Sequence, residues 1–200
     1  MIKNTLFTFG HRKHHGKGTC AKMVMDYCFQ NQIRAKRRSF ADMMKEQCSK
    51  RYNLNNLLMS DPKYKQSKPE HLLGLTVRDV LLKEGAFARS IWEYAWASSL
   101  YKRVSIDFVN GVQVIVVNDL RFANEYDFLQ ASLADVRLVS ILVHRKNGIF
   151  DDDGADAELP DEEGFGSVWK YIVENDDESE LWIDGLREQT LEIVRKELKR

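Results

Sequence analysis

The ten residues Gly10–Thr19, GHRKHHGKGT, bring together groups suited to holding an anion. A glycine-containing turn between a strand and a helix aims successive backbone N–H groups, and the positive end of the helix dipole, at a bound phosphate. Lys17 adds a point charge able to reach a terminal phosphate, and Gly16 and Gly18 let the backbone approach closely because no Cβ intervenes. Thr19 supplies a hydroxyl for a metal ion. Gly10, Arg12, Lys13, His15, Gly16, Lys17, Gly18, Thr19 and Cys20 are the candidate residues around a nucleotide triphosphate. The alternative is a glycine-containing turn with no ligand. Downstream, Asp119 follows the apolar run VQVIVV (112–117), where a carboxylate can orient Mg²⁺ opposite Thr19; a strand-end cap is the competing reading. Arg121 can clamp a phosphate or pair with Glu125 at i, i+4.

The spacing is close to a P-loop but not identical to it. Five residues separate Gly10 from Gly16, where the usual motif has four, and Gly18 follows the lysine, so Thr19 is the available hydroxyl. His11, His14 and His15 cluster without a zinc-type spacing and read as solvated loop side chains that gain positive charge as pH falls.

These residues need a scaffold that places strand ends together. Leu6–Phe9 reads as a short strand, about 17–30 as a helix, Ala35–Phe40 as an edge-like strand, and about 42–51 as a second helix. Residues 53–75 are polar and aperiodic, and are expected to be a mobile loop. Thr76–Val104 reads as helix interrupted near Gly85, and Thr76 with Asp79 can form a capping box. Val112–Val117 and Val136–Val143 are continuous apolar runs, as expected of strands buried on both faces. Phe122–Leu133 is helical, Lys170–Val173 is a last strand, and a helix runs from about Glu178 to the end. Alternation of this kind predicts a three-layer α/β fold, a mostly parallel sheet with helices on both faces.

Two hundred residues suffice for one domain with small insertions. Thirty basic and thirty acidic side chains cancel, which speaks against a long nucleic-acid partner. The charges are nonetheless segregated: residues 1–51 hold twelve basic and three acidic groups, and residues 151–200 hold six and seventeen. No apolar run approaches the roughly 18–20 residues of a membrane span, and the N-terminal apolar stretch is too short for a signal peptide. Three cysteines (Cys20, Cys28, Cys48) with no C-x-x-C pair suggest a reducing, cytoplasmic setting.

Several further segments fall in an order that resembles the deoxynucleoside monophosphate kinases of tailed phages. SFADMMKE (39–46), TVRDVLLKEGAFAR (76–89) followed by Trp92 and Trp96, VIVVNDLRFANE (114–125), VSILVHR (139–145) and YIVENDDESEL (171–181) carry the likeness. The resemblance implies one P-loop kinase domain over 1–200, with an acceptor-binding helical region at about 40–105 and a lid-like segment at about 146–166. It implies ATP and Mg²⁺ as cofactors and transfer of the γ-phosphate to a deoxynucleoside 5′-monophosphate. Lys17, Arg121 and Arg145 are then the catalytic candidates, and Thr19 and Asp119 the metal ligands. Asp42, Lys45, Arg78, Arg89, Trp92, Trp96 and Glu125 are the candidates for the acceptor, the tryptophans either stacking on a base or packing in the core. The partners implied are ATP and a dNMP, with no membrane; oligomeric state stays open, a homodimer included. A kinase acting on a modified base, free or within DNA, and a non-catalytic nucleotide-binding regulator are the alternatives.

Overall fold

The computed structural model describes residues 3–10, 15–145, 168–175 and 182–199. Its strands are β1 (Thr5–Gly10), β2 (Ala35–Arg38), β3 (Val114–Leu120), β4 (Arg137–Arg145) and β5 (Tyr171–Asn175). They form one sheet in the order β2-β3-β1-β4-β5, and every neighbouring pair is parallel. The central strands are buried on both faces, which is why their sequences run apolar without alternation.

Helices cover both faces, as expected of the α/β class. On one face α1 (Lys17–Gln30) and α7 (Trp182–Glu197) pack over Phe7, Phe9, Val114, Val116, Val139, Ile141 and Val173. Ala35 joins that cluster, so Lys36 and Arg38 project from the other face. There they reach Asp107 of α5 (Ala95–Val109): Lys36 Nζ donates over 2.7 Å, and Arg38 Nε and Nη2 over 2.6 and 2.9 Å. An edge-to-face contact between Tyr101 and Phe128 joins α5 to α6 (Ala123–Ser132). From β1 the chain runs to one edge of the sheet, and from β4 to the other. This reversal of strand order falls at the carboxyl ends of the central strands, the place where open α/β sheets take ligands.

The chain divides into two compact units, residues 1–39 with 101–200, and residues 40–100. The second has its own small core, Cys48, Leu54, Met59, Leu72, Val77, Val80 and Leu81, beneath α2 (Ala41–Tyr52) and α4 (Val77–Ile91). Thr76 and Asp79 form the expected capping box at the start of α4.

Two expectations are corrected in this unit. Residues 53–75 are folded rather than a mobile loop. Asp61 caps a short helix, α3 (Pro62–Gln66), the Tyr64 hydroxyl takes the Asn55 amide, and Leu54, Met59 and Leu72 are buried. The break between the two long helices lies at residues 92–94, not at Gly85, which is buried inside α4. Close packing explains the glycine: a Cβ there would lie 3.2 Å from Met44 Sδ. Among the described residues, no helix is long and apolar enough to cross a membrane.

Candidate functional site

Gly10 ends β1, and the reason for a glycine there is steric: a Cβ would run into Cη2 of the buried Trp169. His11, Arg12, Lys13 and His14 lie outside the described residues, as does the 146–166 segment expected to act as a lid. Gly16 is the N-cap of α1 with φ 105° and ψ 3°, a backbone state that glycine reaches without strain. Lys17 is the first residue of the helix and is half-buried. Strand, left-handed glycine, lysine and helix thus follow one another as the motif requires. The amides of Thr19 and Cys20 both donate to the Gly16 carbonyl, at 2.9 and 3.0 Å, which closes the first turn.

His15 is not solvated. It is 1% exposed, and its Nδ1 accepts the backbone N–H of Arg145 at 3.2 Å. An amide can only donate, so Nδ1 is the accepting nitrogen of the ring in this arrangement. The His144 ring lies 6.2 Å away, and His144 Nδ1 meets Glu174 Oε2 at 3.2 Å. The same loop residue is held from β5: Asn175 Nδ2 donates to the His15 carbonyl at 3.0 Å. Cys20 belongs to the core between α1 and α7. Burial pushes its thiol up to about 11 despite a hydrogen bond with Thr190, and its amide is already spent on Gly16. Its side chain therefore faces away from the loop's ligand side.

The end of β3 is irregular beside this loop. Thr8 pairs with Val117, but Gly10 pairs with Leu120, so β3 carries an extra residue around Asn118 and Asp119. A bulge of this kind re-aims side chains at a strand end. Asn118 Nδ2 comes within 3.8 Å of where a Gly18 Cβ would stand, which sets the bulge against the start of α1. Asp119 Oδ2 accepts the Ser39 hydroxyl at 2.5 Å. Arg121 follows, half-buried. Glu125 is 5% exposed, and its Oε2 accepts the Arg121 and Phe122 amides at 3.0 and 3.3 Å, so it caps α6 through the backbone. Arg145 ends β4, in register with Asn175.

The remaining acceptor candidates lie in the 40–100 unit. Asp42 and Lys45 sit on the first two turns of α2, and Lys45 Nζ donates to Ser60 Oγ at 3.0 Å. Arg78 and Arg89 share one face of α4 but stand about 16 Å apart along it. Arg89 lies over Gly85, its Nη1 and Nη2 being 3.7 and 3.8 Å from where a Cβ would be. Trp96 is buried, and its indole N–H donates to the Gly85 carbonyl at 3.1 Å, the arrangement of a core residue. Trp92 caps the end of α4, is 48% exposed, and meets Tyr94 edge-on. The two tryptophans therefore do not share a helix face.

Ser39, Asn118 and Asn175 were not candidates from the sequence. Each is a polar residue at or next to the carboxyl end of a strand, which is the one signal that could have singled them out.

The residues present suit a phosphate and a hard cation. The loop offers a positive-φ glycine, a helix start and a lysine, while Asp119 and Thr19 are oxygen donors. Among the described residues, no group of three or more His, Cys, Asp and Glu could hold a metal. Mg²⁺ would therefore be shared with phosphate oxygens, as is its habit.

No protein-family model matches the chain, and no curated protein matches it. Among solved structures it is similar to the Mycobacterium tuberculosis APS kinase CysC in complex with AMPPNP and APS, at 12% identity, covering 97% of each chain, with a TM-score of 0.48. It is also similar to the hexameric APS kinase of Thiobacillus denitrificans, at 10% identity, covering all of this chain and 30% of that one, with a TM-score of 0.45.

Proposed function

We propose that this chain is an ATP-dependent phosphotransferase of the P-loop nucleotide kinase type, with a deoxynucleoside 5′-monophosphate as acceptor. One observation carries the reading: β1 runs through a left-handed Gly16 into Lys17 and α1, directly beside the bulge of β3 that bears Asp119. Phosphoryl transfer asks a protein mainly to align two phosphates and neutralise spreading negative charge, and this arrangement supplies the parts for the donor.

In this reading ATP provides the transferable phosphoryl group and Mg²⁺ offsets its charge. The Gly16, Lys17 and Gly18 amides and the Lys17 side chain hold the donor phosphates. Asp119 and Thr19 hold the cation. Arg121 and Arg145 face the charge that builds up during transfer; a guanidinium suits this because its fork matches two phosphate oxygens. The dNMP acceptor rests on the resemblance of the 39–46 and 76–89 segments, which assigns it Asp42, Lys45, Arg78 and Arg89, with Trp92 as the exposed aromatic available to a base.

The test is ADP release from ATP with Mg²⁺ against a panel of dNMPs, ribonucleoside monophosphates, APS and duplex DNA, with Lys17→Ala in parallel. Stimulation by one or more dNMPs, lost in Lys17→Ala, supports the reading. Stimulation by APS or DNA alone overturns the acceptor and keeps the phosphotransferase. ATP turnover equal in wild type and Lys17→Ala overturns both.

A further inference from the structure

We propose that Asn175 is the positioning residue that sets the phosphate loop in its anion-binding orientation, acting through the carbonyl of His15. For its effect on nucleotide binding, this rests on the function proposed above.

The geometry is specific. Asn175 is the last residue of β5 and is 4% exposed. Its Nδ2 donates to the His15 carbonyl at 3.0 Å in a buried setting. Only the amide nitrogen can donate there, so the orientation of the carboxamide is determined. Its Oδ1 is buried and has no hydrogen-bond partner among the described residues, where the bond to His15 ties this side chain to its surroundings.

The consequence for the loop follows from peptide planarity. In a trans peptide the C=O and the next N–H point in opposite directions. Drawing the His15 carbonyl toward Asn175 therefore turns the Gly16 N–H to the opposite side. A carbonyl directed at a phosphate would repel it, and an amide attracts it. Fixing this one plane thus decides the sign of the field that the His15–Gly16 peptide presents. Gly16 is part of the same device: a Cβ at this residue, already at φ 105°, would lie 3.1 Å from Asn175 Nδ2.

The neighbouring strand completes the clamp. Arg145, paired with Asn175 in the β4–β5 register, donates its backbone N–H to His15 Nδ1 at 3.2 Å. His15 is held by main chain from β4 and by a side chain from β5. The first bond depends on the His15 ring and the second on the Asn175 carboxamide, so substituting Asn175 tests the hold on the carbonyl by itself.

Three substitutions at one position separate donation from packing. Asn175→Gln keeps the donor but is longer, Asn175→Ala removes it, and Asn175→Asp keeps the shape but sets a carboxylate against a carbonyl. If the donor matters, ATP affinity falls in the order wild type, Gln, Ala, Asp. The expected loss is about tenfold for Ala, the size of one net hydrogen bond. If the side chain only fills space, the overlong Gln should bind worse than Ala, which overturns the proposal.

A second readout needs no nucleotide: hydrogen exchange of the amides of residues 15–20. Exchange in ligand-free Asn175→Ala and Asn175→Asp should be at least about fivefold faster than in wild type. Unchanged exchange overturns the proposal. Faster exchange in the variants, combined with no ATP protection of the wild-type loop, retains the positioning role and overturns the nucleotide reading instead.

Discussion

Ser39 donates its hydroxyl to Asp119 Oδ2 over 2.5 Å, joining the residue that follows β2 to the bulge that ends β3. A carboxylate at a strand end can rotate about two bonds, and a hydrogen bond to one oxygen removes most of that freedom. In the proposed site Asp119 meets the cation, so its orientation should show in metal dependence before it shows in stability. Ser39→Ala is expected to raise the Mg²⁺ concentration for half-maximal ADP release about tenfold, since a hydrogen bond to a charged group contributes about 1.5–3 kcal/mol. Ser39→Thr keeps the hydroxyl and should recover most of the loss. An unchanged Mg²⁺ titration in Ser39→Ala would remove Asp119 from the metal.

Gly10 and Gly18 look alike in the motif but answer to different constraints. At Gly10 an added Cβ would meet the Trp169 indole, which is buried and cannot swing away. Overpacking of that kind costs about 3 kcal/mol, or about 10 °C in midpoint for a chain of this size. Gly10→Ala should therefore melt early, as followed by tryptophan fluorescence. At Gly18 the nearest atom is Asn118 Nδ2 at 3.8 Å, an ordinary contact. Gly18→Ala should melt within about 2 °C of wild type and still lose ATP affinity, because the new methyl occupies the approach to the loop. A stable Gly18→Ala protein with full affinity would place the nucleotide elsewhere.

The parts legible in the sequence were those built from neighbours along the chain. The β1–loop–α1 unit reads from strand, glycine, lysine and helix in succession, and β3 and β4 read from apolar runs that only a two-sided burial explains. The Thr76–Asp79 cap is a three-residue relationship and was equally visible. What was hidden depends on long separations. Asn175 meets His15 across 160 positions and Ser39 meets Asp119 across 80. Leu54, Met59 and Leu72 have no regular period, so their burial against α4 could not be anticipated from their spacing. Gly85 looked like a helix break because glycine weakens helices by about 1 kcal/mol. Packing against Met44 and the Trp96 N–H bond to its carbonyl keep it helical.

Asp107 sets an acid limit on the fold. Burial alone would raise its carboxyl, but Arg38 and Lys36 outweigh that and hold it below the usual carboxylate range. Because the folded value is the lower one, this stabilisation is present above the unfolded value of about 3.9 and is lost as pH falls through the folded value. Asp107→Asn should be less stable by about 3 kcal/mol at pH 7, since it leaves two cations facing a neutral amide. Urea titrations of both proteins between pH 7 and pH 2 should converge at the acid end. A gap that stays constant with pH would mean that the loss comes from packing and not from charge.

Trp92 and Trp96 separate a binding role from a structural one within the 40–100 unit. Trp96 is buried with its indole N–H on the Gly85 carbonyl, so Trp96→Phe removes that hydrogen bond and part of a buried ring system and should destabilise the protein by about 1–3 kcal/mol. Its effect on acceptor KM should be no larger than that of any equally destabilising core change. Trp92 is 48% exposed and meets Tyr94 edge-on, so Trp92→Ala should lower the thermal midpoint less than Trp96→Phe. If a base stacks there, acceptor KM rises about tenfold or more in Trp92→Ala, by the 1–3 kcal/mol per base that stacking contributes. Trp92→Phe should then retain most of the affinity, because the π face is kept. Equal KM values in wild type and Trp92→Ala would take the base away from the end of α4 and leave Arg78 and Arg89 as the acceptor contacts to test on that helix.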